Sequence, residues 1–206
     1  MKRLITAKLE VWRSGDERKP LLLQGTRQVG KTHSLQSFGA SRFRRCHYLN
    51  FEEHESFIPL FAGDLSPKRI MQDLALLLSE PIDLGEDVLI LDEVQQCPRA
   101  LTSLKYFAEE MPELAVCAAG SLLGVHLGEF SFPVGKVDEL HMFPMTFEEF
   151  LWAGPNEMLS ESFAAMIAPR LSIWVRKMRR LRLKMSATDV GKSAKDLSVL
   201  LAHAPQ

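Results

Sequence analysis

Residues Leu21-Leu22-Leu23-Gln24-Gly25-Thr26-Arg27-Gln28-Val29-Gly30-Lys31-Thr32 decide the fold. The last eight match G-x-x-x-x-G-K-[ST], and the leucines ahead of them supply the buried strand that a phosphate-binding loop requires. Two glycines let the backbone turn tightly and aim successive N–H groups at phosphates, while the N-terminus of the following helix adds partial positive charge. On this reading Gly25, Thr26, Arg27, Gln28, Val29 and Gly30 cradle a nucleotide. Lys31 reaches the β- and γ-phosphates and the Thr32 hydroxyl ligates Mg²⁺. The bare pattern recurs by chance, so its position between a strand and a helix matters more than its letters.

A second block agrees with the first. Val88-Leu89-Ile90-Leu91-Asp92-Glu93 is an apolar strand ending in two acids, some sixty residues after the loop. Such a strand holds Asp92 near Thr32, where its carboxylate completes the Mg²⁺ shell, and leaves Glu93 to take a proton from an attacking water. A later strand ends Ala118-Ala119-Gly120-Ser121, which makes Ser121 a candidate sensor of the γ-phosphate or the water. Asn50, at the end of another strand, is either a partner that restrains Glu93 or a turn residue. The Walker B glutamate and the lack of an N-K-x-D segment favour ATP over GTP. Lys136 is a further, weaker candidate for the nucleotide site.

Around these blocks the hydrophobic periodicity alternates between strand and helix. Leu4, Ile5, Leu9 and Trp12 have helical spacing, and Ser14-Gly15-Asp16 ends that lead-in helix. Strands are expected at Leu21 to Gln24, Cys46 to Phe51, Val88 to Leu91, Leu114 to Ala119 and around Val134 to Met142. Helices are expected from Lys31 to a stop at Gly39, from Pro67 with Ile70, Leu74, Leu77 and Leu78 as its apolar stripe, and from Pro98 to Glu110 with Leu101, Leu104 and Phe107 inward. Strands apolar throughout, alternating with helices, predict an α/β fold: a P-loop NTPase with a parallel sheet sandwiched by helices.

The segments PLLLQGTRQVGKT, CHYLNFEE, VLILDEVQQCPRALTSLKYF, AAGSLLGV and FSFPVGKVDELHMFPMTFEEFL resemble the AAA-type ATPases of bacteria and archaea that carry a DUF4143 domain behind the nucleotide-binding domain. The resemblance covers residues 1 to about 152. It implies ATP binding and hydrolysis with Mg²⁺, Gly25 to Thr32 as the nucleotide loop, Asp92 and Glu93 as the metal and hydrolysis pair, and Ser121 as the sensor. It also implies a homo-oligomer or protein partner that supplies an arginine finger, so hydrolysis by this chain alone is expected to be weak. His33, after Thr32, departs from the family's usual small hydroxyl residue. Beyond Leu159 the chain resembles neither the family's lid nor its second domain.

Composition sets the remaining bounds. With 206 residues, 46% hydrophobic and 25% charged, the chain is long enough for one substantial core and is not disordered by default. Its N-terminus lacks the apolar run of a signal peptide, and no apolar stretch approaches the ~20 residues needed to span a bilayer. Cys46, Cys97 and Cys117 are odd in number and widely spaced, as in a reducing compartment. A cytoplasmic protein is expected. Residues 1–150 carry 16 Lys+Arg against 22 Asp+Glu, whereas residues 151–206 carry 9 against 4, so the chain turns basic near residue 150. The organisation read from this is a helical lead-in over 1–18, the ATP-binding domain over 19–152 and a basic, helical or partly disordered tail over 153–206. Arg170 to Met185 interleaves seven basic residues with Leu171, Trp174, Val175, Met178, Leu181 and Met185 at helical spacing. That stripe fits an amphipathic helix with solvated charges, and it leaves nucleic-acid or anionic-membrane contact as alternatives. Gly191-Lys192-Ser193 is not a second loop, because Ser186 stands where its first glycine would be. A non-hydrolysing nucleotide-binding module is the other alternative.

Overall fold

The computed structural model describes residues 3–121 and 135–153. The basic stripe of Arg170 to Met185, and the rest of the expected tail after Ala153, lie outside the described residues. The chain divides into two compact units, 1–150 and 151–206, and the first carries the sheet.

Leu4–Arg13 forms α1, Leu21–Gln24 β1, Lys31–Arg42 α2 and Cys46–Asn50 β2. A 3₁₀ turn over Glu55–Phe61 leads to α3, Pro67–Leu78, and then to β3, Val88–Asp92. A second short 3₁₀ turn, Val94–Gln96, precedes α4, Pro98–Glu110; β4 is Ala115–Gly120, β5 Asp138–His141 and α5 Phe147–Ala153. The five strands form one parallel sheet in the order β2-β3-β4-β1-β5. A sheet covered on both faces needs strands that are apolar at every position, because alternate side chains face opposite layers. Leu22, Leu49, Leu89, Leu91, Val116 and Ala118 point to the layer containing α3 and α4; Leu21, Leu23, Val88, Ile90, Cys117 and Ala119 point to the layer containing α1 and α2. Leu21, Leu22 and Leu23 are fully buried, each contributing about 1.5–3 kcal/mol of transfer free energy.

Three local features differ from the sequence expectation. Helix α2 runs through Gly39 to Arg42 instead of stopping there. A Cβ at Gly39 would stand 2.7 Å from Cys46 Sγ, so this glycine lets the helix lie close on β2. In α3 the buried stripe is Ile70, Met71 and Leu74, while Leu77 is exposed. In α1, Ile5, Leu9 and Trp12 are buried but Leu4 is not, and Trp12 Nε1 donates to the Lys19 carbonyl at 2.8 Å, which satisfies the indole. Proline at the first position of α3 and α4 is favourable because no intrahelical acceptor exists there for an N–H.

Candidate nucleotide site

In the strand order, β4 lies between β3 and β1, with Leu91 opposite Ala118 and Gln24 opposite Gly120. The carboxyl ends of these three strands therefore bring Asp92 and Glu93, Ser121, and the loop beginning at Gly25 to one edge of the sheet. Parallel α/β sheets bind ligands at such an edge.

The loop conformation explains its two glycines in different ways. Gly30 has φ +93°, in the left-handed region that glycine adopts without steric cost. Gly25 is needed for a close approach: a Cβ there would stand 2.4 Å from the Met142 carbonyl oxygen, which follows β5. Gln28 is also left-handed, at φ 63°. Thr26, Arg27 and Gln28 are exposed, Val29 is buried, and His33 is exposed on α2. Arg27 forms a surface ion pair with Glu52 at 3.6 Å, an interaction of small energetic weight. Lys31 is only 5% exposed, and its ammonium donates to the carbonyls of Gly25 at 3.0 Å and Thr26 at 2.9 Å. Burial lowers the Lys31 pKa; the carboxylates of Glu93 and Asp92 push it up and the Arg27 charge pushes it down.

Asp92 is fully buried. Its Oδ2 accepts hydrogen bonds from the Thr32 hydroxyl at 2.5 Å and the Tyr48 hydroxyl at 2.9 Å, and its Oδ1 accepts from the Glu93 N–H at 2.9 Å. The Tyr48 phenol is pushed up, first by burial and then by the adjacent Asp92 carboxylate, so it stays a donor. The Thr32 and Asp92 oxygens form the hard, oxygen-only donor pair that suits Mg²⁺, which binds through one or two protein oxygens, phosphate and water. Among the described residues no group of three or more His, Cys, Asp or Glu side chains could hold a metal ion. A structural zinc or iron centre therefore has no ligand set there, whereas a nucleotide-bound Mg²⁺ needs none.

Glu93 follows in the left-handed region at φ 54°, which costs a non-glycine residue about 1 kcal/mol or more and turns the chain sharply off the strand. Its carboxylate accepts a hydrogen bond from the Gln95 amide, whose oxygen lies 3.4 Å from the Ser121 N–H. Ser121 is buried. Asn50 does not bond to Glu93: its carbonyl accepts from the N–H groups of Glu52 and Glu53, and its amide donates to the Tyr48 hydroxyl. Its turn role is the one realised. Lys136 precedes β5, whose first residue, Asp138, pairs with Leu21 at the other end of the sheet, and it forms an ion pair with Glu109 at 2.9 Å. It is not part of this edge. Tyr48 and Gln95 were not singled out from sequence. Tyr48 shares a strand face with Asn50, and that two-residue spacing was the available signal.

A family model described as an AAA domain matches residues 17–151. The chain belongs to the AAA domain family. Its general function is that of a nucleotide-binding domain of the P-loop ATPase class. No curated protein matches the chain. Among solved structures, this AAA domain is similar to a Walker-type ATPase of Pyrococcus abyssi, at 21% identity over 79% of this chain and 61% of that one, with a TM-score of 0.47. It is also similar to AMPPCP-bound DnaA from Aquifex aeolicus, at 16% identity over 87% and 64% with a TM-score of 0.43. A third is the Orc1 protein of Aeropyrum pernix in complex with DNA, at 16% identity over 79% and 53% with a TM-score of 0.41. The chain spans less than two thirds of the length of each of these structures. Among the described residues no helix is long and apolar enough to cross a membrane.

Proposed function

We propose that residues 19–152 form a Mg²⁺-dependent ATP-hydrolysing domain, with residues 1–18 as a helical lead-in and 153–206 as a basic tail. The observation that carries this reading is the 2.5 Å contact between the Thr32 hydroxyl and Asp92 Oδ2, which joins the loop to the tip of β3 across 60 residues of sequence. Bound there with the nucleotide, Mg²⁺ supplies charge neutralisation of the phosphates. Lys31 exchanges its two carbonyl acceptors for phosphate oxygens, whose negative charge favours the ammonium form against the opposing effect of burial. Glu93, half-buried beside the metal carboxylate, orients the attacking water and takes its proton. Ser121, at the tip of β4 between β3 and β1, senses the γ-phosphate. The three free cysteines fit a cytoplasmic protein. Fast turnover waits on an arginine from a neighbouring subunit or partner, a group that contributes ~10³ to 10⁵ in rate.

Titration of ATP with Mg²⁺ into the wild type and Lys31→Ala tests the binding half. Saturable binding by the wild type and its loss in the variant are expected; equal, undetectable binding by both sinks the reading. Phosphate release by the wild type and Glu93→Gln tests the hydrolytic half. A loss of about 10²-fold or more is expected, and indistinguishable rates would leave a module that binds nucleotide without hydrolysing it.

A further inference from the structure

The most deeply buried ion pair of an arginine and a carboxylate in the described residues lies behind the nucleotide loop. Arg3, 8% exposed, and Glu149, 3% exposed, are 146 residues apart and meet with Arg3 Nε donating to Glu149 Oε1 at 2.9 Å. One terminal nitrogen of Arg3 donates to the Val29 carbonyl inside the loop at 3.0 Å, and the other to the Phe143 carbonyl at 3.1 Å. Glu149 is itself fully engaged: Oε1 also accepts the Leu4 N–H at 2.8 Å, and Oε2 accepts the Thr146 N–H at 2.8 Å while the Thr146 hydroxyl accepts the Glu149 N–H at 3.2 Å. The last two bonds form a capping box at the start of α5. Burial pushes the Glu149 carboxyl up, but the N–H donors of Thr146 and Leu4 and the Arg3 guanidinium outweigh it and hold it below its ordinary value. The Glu149 carboxylate is therefore held in its ionised form, with donors on both oxygens.

We propose that Arg3 is a positioning residue of the nucleotide loop: held by Glu149, its guanidinium fixes the Val29 carbonyl and with it the direction of the Gly30 N–H. The step from carbonyl to N–H is geometric. Val29 C=O and Gly30 N–H belong to one planar trans peptide, in which the two bonds point in opposite directions. Anchoring the oxygen on Arg3 turns the N–H away from Arg3, and phosphate loops bind anions through such N–H groups. This peptide needs an anchor because it leads directly into Gly30 at φ +93°, two residues after Gln28 at φ 63°, and glycine offers the least steric resistance to rotation of the peptide plane. Arginine suits the task better than lysine. Its fork serves three acceptors in different directions at once, whereas an ammonium on a flexible stem does not hold that geometry. Through Glu149 the same anchor ties the loop to the first residues of α1 and of α5.

The inference rests on the nucleotide-binding reading above, and the experiment separates the two. ATP with Mg²⁺ is titrated into the wild type, Arg3→Lys and Ile5→Val, and steady-state phosphate release and thermal melting are measured on each. Arg3→Lys keeps the buried charge and its partner but loses the fork. Its Kd and KM for ATP should rise about tenfold, with release at saturating ATP within about twofold of wild type. Ile5→Val removes one methyl from the buried face of α1 and leaves Arg3 and its three acceptors in place, so melting temperature should fall while Kd stays unchanged. ATP affinity in folded Arg3→Lys equal to wild type overturns the positioning role, as does a fall in kcat with KM unchanged. Should Arg3→Lys fail to fold, the double variant Arg3→Met with Glu149→Leu replaces the pair with apolar groups of similar volume, an exchange that buried ion pairs often tolerate. It should show the same rise in Kd, and wild-type affinity in it overturns the proposal. Absence of ATP binding by the wild type itself refutes the nucleotide reading first.

Discussion

Two aspartates bound one strand and do opposite things with the same burial. Asp87 immediately precedes β3 and Asp92 ends it; both are completely buried. Asp87 has a cation in direct contact: Oδ2 lies 3.7 Å from Arg45 Nε, and it is also 3.0 Å from His47 Nε2 and accepts the Asp83 N–H at 2.9 Å. Asp92 is satisfied by neutral donors alone, the hydroxyls of Thr32 and Tyr48 and one N–H, and among the described residues it forms no ion pair. A buried carboxylate is costly unless its charge is matched. Asp87 has its match inside the protein and serves the fold. Asp92 is hydrogen-bonded but has no cation in direct contact, the Lys31 ammonium acting on it only through its field, which is the state expected of a group that waits for a divalent cation. Burial alone does not separate a structural acid from the metal ligand we propose; a cation in direct contact does.

The contrast breaks most readily at Asp87. Asp87→Ala strands His47 and Arg45 without their carboxylate and should cost about 3 kcal/mol in chemical denaturation, while ATP affinity of the folded protein stays at the wild-type value. A parallel loss of affinity would mean that the two ends of β3 are not independent. Acid should find the same weakness. Burial pushes the Asp87 carboxyl up, but the His47 and Asp83 hydrogen bonds and the His47 and Arg45 charges prevail and leave it below its ordinary value. The folded pKa is thus depressed, so this stabilisation is complete above the unfolded value of about 3.9 and is lost as pH falls through the folded one. Wild type should lose stability more steeply than Asp87→Ala over that acidic window, and equal slopes would remove Asp87 as the cause. The smallest effect belongs to Tyr48→Phe. Deleting one of the three donors to Asp92 should cost about 1 kcal/mol by denaturant titration, less than the loss at Asp87; a larger cost would mean that the hydroxyl carries more of the Asp92 charge than a neutral donor should.

Much of this arrangement is legible in sequence because its determinants are local. The loop, the strand before it and the acids ending Val88–Asp92 each announce themselves within a few consecutive residues, and parallel strands buried on both faces are apolar at every position. Contacts set by tertiary packing are not legible in that way. Gly39 reads as a helix stop because glycine often ends helices, yet it is there for the approach of Cys46. Asn50 has the chemistry to hold Glu93, but Glu52 and Glu53 offer it nearer backbone donors. The Arg3–Glu149 pair joins residues 146 apart, and its one local trace is the Thr146-x-x-Glu149 capping pattern at the start of α5. Lys136 lies in a block that resembles nucleotide-binding proteins, but the pairing of β5 with β1 carries it to the far end of the sheet.

Whether Asp92 is a buried carboxylate awaiting a metal-bound nucleotide is tested most directly by calorimetric titration of ATP with and without Mg²⁺ into the wild type and Asp92→Asn. Mg²⁺ should strengthen ATP binding to the wild type about tenfold or more and have little effect on binding to Asp92→Asn. An equal gain from Mg²⁺ in both proteins, or none in the wild type, would contradict it.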